Sequence, residues 1–323
     1  MRKYEPEILM ALIACLALVL VHPPAEARAA NPVIPTAVVE NIARRAVCFD
    51  RTHTVQLLRD GGVEEMNLRE YLIGVVMSEM PMSFAPEALR AQAIASRTYA
   101  LHCRKHPDAD VCDSADCCQR QAEAKELRER FGQAYAALRE RARQAVDSTD
   151  GLVLTYDGAL IDATFFACSG GMTEDAVEVW GTEVPYLRPV ASPGEEDAGS
   201  YHSSTVLDPA AFARSIQAIA PEAVLEGDPS TWLGAEERTA GDGVRSLEVG
   251  GVALTGTQLR AAFGLRSTRF SLEWDGTCFC FDVYGAGHRV GMSQCGAQAM
   301  ALAGATAERI LKTYYTGVEI SHI

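Results

Sequence analysis

The sequence predicts an α+β fold of mixed helices and antiparallel strands. Three observations carry this expectation. Hairpin patterns with tight Asp-Gly turns occur at two places. Blocks with helical apolar spacing stand between and after them. No regular strand–helix–strand alternation links them, so a parallel layered sheet is excluded.

The elements follow in order. Residues 35–47 have the spacing of a short helix. His53 to Asn67 (HTVQLLRDGGVEEMN) alternates like two strands around Asp60-Gly61-Gly62. Asn67-Leu68-Arg69-Glu70 has the form of a capping box opening a helix. Pro81 disfavours helical geometry at Met80, so that helix ends near Glu79. A small-residue helix begins at Pro86. Glu123 to Ser148 is polar and Ala-rich and reads as one long, solvated amphipathic helix. Gly151 to Ala167 alternates again, with Asp157-Gly158 as a turn. Asp208 to Ile219 is helical, Val244 to Leu254 forms strands around Gly250-Gly251, and Phe270 to Tyr284 is strand-like. Ala297 to Tyr315 closes the chain as a helical region.

Composition sets limits on function. The chain has 323 residues, 48% hydrophobic and 22% charged, which is globular and large enough for a core. The net charge of −14 argues against nucleic acid as a partner, because phosphate binding needs a basic surface. The start carries a short basic stretch, an apolar run from Ile8 to Val21 and an Ala27-Arg28-Ala29 pattern. That arrangement reads as a secretory signal over residues 1–29, with an uncleaved anchor as the alternative. Cys15 superficially fits a lipid-attachment site, but the apolar run continues past it. The expected location is outside the cytoplasmic membrane, in the periplasm or cell-wall space.

Glu79 is the candidate proton-transfer group. It is a lone acid between an apolar helix and a proline break. Unpaired carbonyls at a helix C-terminus oppose ionisation there and raise a carboxyl pKa. A general acid working near neutral pH needs that shift. The plain alternative is a solvated surface glutamate.

His106, Cys112, Cys117 and Cys118 form H-x5-C-x4-C-C in a polar loop, KHPDADVCDSADCCQR, that has no apolar core of its own. One imidazole and three thiolates make a competent closed zinc set. Disulfides are the alternative, and His102 and Cys103 lie near enough to exchange into the set. Cys168, in ACSGG, is a small buried residue or a thiol nucleophile without an evident histidine partner.

Four blocks then carry a family resemblance. They are SEMP with PEALRAQAIASRTYAL, FFACSGGMTEDAVEVWGTEVPYLRPVASP, LTGTQLRAAFGLRSTRF and GAGHRVGMSQCGAQAMALAGATAERILKTYYTGVEI. In this order the chain resembles the stage II sporulation protein D (amidase-enhancer) family, with that family's domain expected over residues 32–323. The resemblance implies an exported peptidoglycan lytic transglycosylase. Glu79 would protonate the glycosidic oxygen between N-acetylmuramic acid and N-acetylglucosamine. Its carboxylate would then take the proton of the muramic C6 hydroxyl, leaving a 1,6-anhydro end. Hydrolases usually need two carboxylates, and no paired acid beside Glu79 is evident in the sequence. The same blocks offer Arg97, Ser169, Tyr186, Arg188, His288, Ser293 and Gln294 as substrate contacts.

The resemblance also implies structural zinc at the cysteine cluster, with Cys117 where many relatives have histidine. Two further departures are Arg289, at the second glycine of the family's GHG, and Cys295, at the tyrosine of its SQYGA. Arg289 would crowd the glycan groove or add an anion contact. Expected partners are peptidoglycan strands, and a cell-wall amidase or a membrane recruitment partner. The alternative function is a non-catalytic wall-binding protein that stimulates an amidase. A zinc hydrolase of wall peptides is disfavoured, because a closed ligand set leaves no position for water.

Overall fold

The computed structural model describes residues 48–323. The apolar run, the Ala27-Arg28-Ala29 pattern, Cys15 and the helix expected over 35–47 lie outside the described residues. Among the described residues, no helix is long and apolar enough to cross a membrane.

After a short helix α1 (Phe49–Thr52), β1 (Thr54–Arg59) and β2 (Gly62–Asn67) pair antiparallel, with Arg59 opposite Gly62. Asp60 and Gly61 take φ of 49° and 77°. Both central positions of a tight hairpin turn need that left-handed geometry. The capping box does not form. Asn67 holds the cap position, but its side chain makes no cap bond. Its amide donates instead to the carbonyls of Arg51 and His53, which pins α1 to the next helix.

That helix, α2 (Leu68–Glu79), is buried from Tyr71 to Met77 and ends where Pro81 requires, with Met80 extended. The following helix, α3 (Pro86–His102), is the axis of the body and is buried along most of its length. Ala88, Ala91, Ala93, Ala95 and Ala100 let its neighbours approach closely. The segment expected as one long helix is two. α4 (Ala124–Phe131) stops at Gly132, whose φ is 52°, and α5 (Tyr135–Asp147) restarts beyond a single 3₁₀ turn. Nor is α5 merely solvated: Ala142, Ala145 and Val146 are buried in the core.

β3 (Val111–Cys112) adds to β1 in parallel. β4 (Leu152–Tyr156) and β5 (Ala159–Leu160) make the second hairpin around Asp157 and Gly158. The chain's last strand, β14 (Glu319–His322), lies on the other edge of β4. β6 (Phe165–Phe166) pairs in parallel with β13 (Met292–Ser293). The expected closing helical region is α9 (Gln294–Leu302) and α10 (Ala307–Tyr314), split at Gly304. Both pack on α3.

Between β6 and β13 the chain builds a second core. It begins after the short helix α6 (Ala176–Trp180), with β7 (His202–Leu207) and α7 (Pro209–Ile219). A meander of β8 (Leu233–Arg238), β9 (Val244–Val249) and β10 (Val252–Thr255) follows. Next come α8 (Gly256–Phe263), then β11 (Phe270–Trp274) and β12 (Phe279–Tyr284), with β12 paired to both β11 and β7. Phe212, Phe279, Phe281 and Trp232 stack inside it. The fold is α+β, with three wholly antiparallel sheets among the described residues, a mixed sheet at β1–β3 and a short parallel pair at β6 and β13.

Candidate functional site

Glu79 lies in a cleft of about 660 Å³ with Tyr99, Lys105, Asp162, Trp180, His288 and Gln294 on its walls. That volume suits a ligand-binding cleft. One carboxylate oxygen accepts the Arg120 backbone N–H at 2.5 Å. Burial pushes the Glu79 carboxyl above its ordinary range, against the opposing bonds from Arg120 and Gln294. The expected direction is therefore present, with burial as its leading cause.

The Arg120 bond depends on a docked loop. Gln119 is buried and donates to Tyr71 Oη and to the Ser96 carbonyl. Ala122 N–H donates to Ser78 Oγ, one residue before Glu79. Gly74 on α2 allows the approach, since a Cβ there would strike the Gln121 side chain. Three successive contacts thus lay the loop against the end of α2.

The other candidate residues divide into two groups. His288 and Gln294 line the cleft. His288 is held neutral at neutral pH: burial, then the Arg260 charge, lowers it to about 4. Its Nδ1 accepts the Val290 N–H at 3.2 Å, so the remaining ring proton sits on Nε2. Gln294 donates to the buried Gln92. Tyr186 stands just behind the wall, its hydroxyl accepting the Asp162 N–H at 3.0 Å.

The rest do not line the cleft. Arg97 is fully buried and forms an ion pair with Asp50 while donating to the Leu152 carbonyl. Ser169 is also fully buried, its N–H and hydroxyl both donating to Glu195. Ser293 caps α9 through Gly296 N–H. Arg188 pairs with Asp175 and Glu183. These four build the frame that holds the cleft.

Arg289 corrects the expectation of a groove contact. It takes φ of 67° and turns inward, fully buried. It donates to the carbonyls of Ser169, Met172 and Gly241 and lies 3.7 Å from the buried Glu174. It ties the SGG turn to the loop before β9. Cys168 is fully buried and donates to Glu195 at 3.1 Å. The neighbouring Cys295 thiol and burial both push its pKa up, so it is unsuited to act as a nucleophile.

His106, Cys112, Cys117 and Cys118 converge. Their ligand atoms all lie within 4.8 Å of one another. His106 Nε2 is 3.6 Å from Cys117 Sγ and 3.4 Å from Cys118 Sγ, and the two sulfurs are 3.9 Å apart. Tetrahedral zinc bonds imply ligand–ligand edges of about 3.6–3.8 Å. The donor set and its spacing fit a structural zinc. These cysteines are separate thiols rather than disulfides. Cys103 stands 3.9 Å from Cys118 as the nearest further thiol.

Residue-by-residue reading of the sequence missed Asp162, Lys105 and Trp180. Asp162 is a second carboxyl in the cleft, raised by burial against the nearby Lys105 and His102 charges. Lys105 Nζ donates to Tyr99 Oη and to the Cys117 carbonyl. None of the three has a local spacing signal, because hairpin, loop and helix bring them together from distant positions.

A family model described as stage II sporulation protein matches residues 59–156, the span from the end of β1 through β4 that contains Glu79 and the cysteine loop. Stage II sporulation protein D of Bacillus subtilis (strain 168) is 35% identical over 266 residues, covering 80% of this chain and 76% of that protein. Its counterpart in Bacillus amyloliquefaciens is 35% identical over 265 residues, covering 80% and 75%. The amidase enhancer of Bacillus subtilis is 26% identical over 302 residues, covering 77% of this chain and 40% of that protein. With 35% identity across most of the chain and of those relatives, and a cleft acid and a histidine–cysteine cluster within the matched segment, the chain belongs to the stage II sporulation protein D family.

Proposed function

We propose that the protein is an exported enzyme of the bacterial cell wall that cleaves peptidoglycan glycan strands as a lytic transglycosylase. The observation that carries this reading is Glu79: a half-buried carboxyl, raised by burial and oriented by the Arg120 N–H, on the wall of a glycan-sized cleft. Such a group donates a proton to a glycosidic oxygen and takes one back from the muramic C6 hydroxyl, so the sugar closes on itself without water. His288, being neutral, and Gln294 supply hydrogen bonds beside it without competing for the proton.

Zinc belongs to the frame in this reading. His106, Cys112, Cys117 and Cys118 would hold it, and it would cross-link a loop lacking an apolar core. The loop in turn presents Arg120 N–H to Glu79. The relatives' names, stage II sporulation protein D and amidase enhancer, support work in sporulation and a second reading, in which the chain binds the wall without cleaving it and stimulates an amidase.

Muropeptide mass spectrometry after incubation of purified wall with the mature chain separates the possibilities. Fragments ending in 1,6-anhydro-N-acetylmuramic acid are expected. Ordinary reducing ends would point to hydrolysis, with Asp162 as the second carboxylate. Binding without cleavage, together with faster amidase turnover, would favour the second reading.

A further inference from the structure

Trp180 has no role in the chemistry above, yet it is one of the few large apolar side chains left exposed among the described residues, at 46%. It ends α6, a five-residue helix whose N-cap Asp175 accepts the Val177 N–H and whose C-cap Gly181 takes φ of 75°. Both ends of the helix are therefore fixed. Asp175 is also paired with Arg188. The indole ring lies 5.2 Å from the His288 ring, centroid to centroid, at 52°. His288 in turn meets Phe166 edge-on at 5.6 Å.

The exposed indole thus stands on the wall of the Glu79 cleft, backed by the tilted imidazole and by the buried phenyl ring. This backing is uncharged, because burial keeps the imidazole neutral. Lys105, Asp162, Glu79 and Gln294 line the same cleft with polar groups. The flat, exposed indole face beside polar groups matches a pyranose ring, which has an apolar C–H face and a rim of hydroxyls. Aromatic faces carry partial negative charge and attract the polarised C–H bonds of a sugar.

We infer that Trp180 is a stacking platform for one N-acetylhexosamine ring of the glycan and sets the register that brings a glycosidic oxygen to Glu79. This inference rests on the glycan-cleaving reading and adds a specificity-determining residue to it. An exposed platform of this kind is spent on ligand, not on the core, so removing it leaves folding intact.

Intrinsic fluorescence tests it directly. The chain has three tryptophans, and the other two belong to the second core: Trp232 is buried, and Trp274 packs against it half-buried. Full-length protein with Glu79→Gln is titrated with a chito-oligosaccharide and with stem-free glycan strands, following emission and, by calorimetry, affinity. A saturable emission change is expected, absent in Trp180→Phe, whose smaller ring retains most of the affinity. Trp180→Ala should weaken binding roughly tenfold, the scale of one lost stacking contact. In the protein with Glu79 intact, Trp180→Ala should raise KM more than it lowers kcat. Full affinity in Trp180→Ala, with the emission of the parent protein unchanged by bound glycan, would sink the platform and leave the enzyme reading standing. Failure of the parent protein to bind or cleave either glycan would overturn both.

Discussion

At the residue scale, Glu79 and Arg97 show how burial assigns different work to charged groups. Glu79 is raised because burial outweighs the bonds from Arg120 N–H and Gln294 and the Arg120 charge, which oppose it. As a general acid it acts only when protonated, so activity should fall as pH rises through its elevated pKa. The stability sign follows from the same shift. The folded state holds the proton more tightly than the unfolded state, so ionising the group costs stability as pH rises from its ordinary 4.5 to the raised value. Glu79→Gln should therefore lose activity by roughly 10²-fold or more. Its melting temperature at pH 7 should equal or exceed that of the parent, with the gain closing in acid. A drop in melting temperature at pH 7 would make Glu79 a structural residue. Arg97 is the opposite case. Its guanidinium and the Asp50 carboxylate are both fully buried and hydrogen-bonded. Arg97→Ala leaves Asp50 unpaired and should cost about 3–5 kcal/mol in chemical denaturation. The effect on kcat of the folded fraction should be small, since Arg97 does not line the cleft.

At the element scale, the cysteine loop and the SGG turn are both held by polar groups where apolar packing is scarce. Cys118→Ser should remove about one bound zinc per chain, read by metal analysis. It should also lower the melting temperature by several degrees, on a scale of about 2–4 °C per kcal/mol. Turnover of the folded fraction should fall less than stability does. A metal-free parent protein of unchanged stability would contradict this. The SGG turn leans on Arg289, whose left-handed φ is a cost that its three carbonyl bonds and Glu174 offset. Arg289→Gly relieves the backbone but strands the buried Glu174 carboxylate. Denaturation should show a net loss of about 2–4 kcal/mol, and a neutral or stabilising result would mean that the Thr239 hydroxyl and the Asp175 N–H suffice for Glu174.

At the scale of the whole molecule, two cores divide the labour. The larger is built on α3 and carries Glu79, the cysteine loop and the C-terminal helices. The second lies within residues 202–284 and is joined to the first partly by Arg289 and its bond to Gly241. The matched family segment, residues 59–156, falls wholly in the first body. The export expected from the N-terminal run should appear as a mature protein beginning near Ala30 by N-terminal sequencing. Recovery of the full-length chain from the cytosol would refute it.

Much of the architecture was legible in the sequence, where local chemistry decides. Asp60-Gly61 and Asp157-Gly158 turn because their backbones must take positive φ, and Pro81 ends α2 whatever surrounds it. The H-x5-C-x4-C-C spacing is short enough that one loop brings His106, Cys112, Cys117 and Cys118 together. Periodicity was a weaker guide. Residues 123–148 have the spacing of one helix, although Gly132 breaks it. Periodicity also passes over β7 and β14, short half-exposed strands that exist only because β12 and β4 offer them edges. The polar residues of the matching blocks could not be sorted by sequence at all. Arg97, Ser169 and Arg289 face buried carboxylates, whereas His288 and Gln294 face the cleft. Only the packing of distant segments determines which side of a wall a side chain occupies. The same packing placed Asp162, Lys105 and Trp180 around Glu79. Tight turns, the proline stop of α2 and the close spacing of the cysteine loop are set by forces acting within a few residues, and the sequence determined them alone. Burial, charge pairing and the cleft itself arise from long-range contacts, and only the tertiary structure decided those.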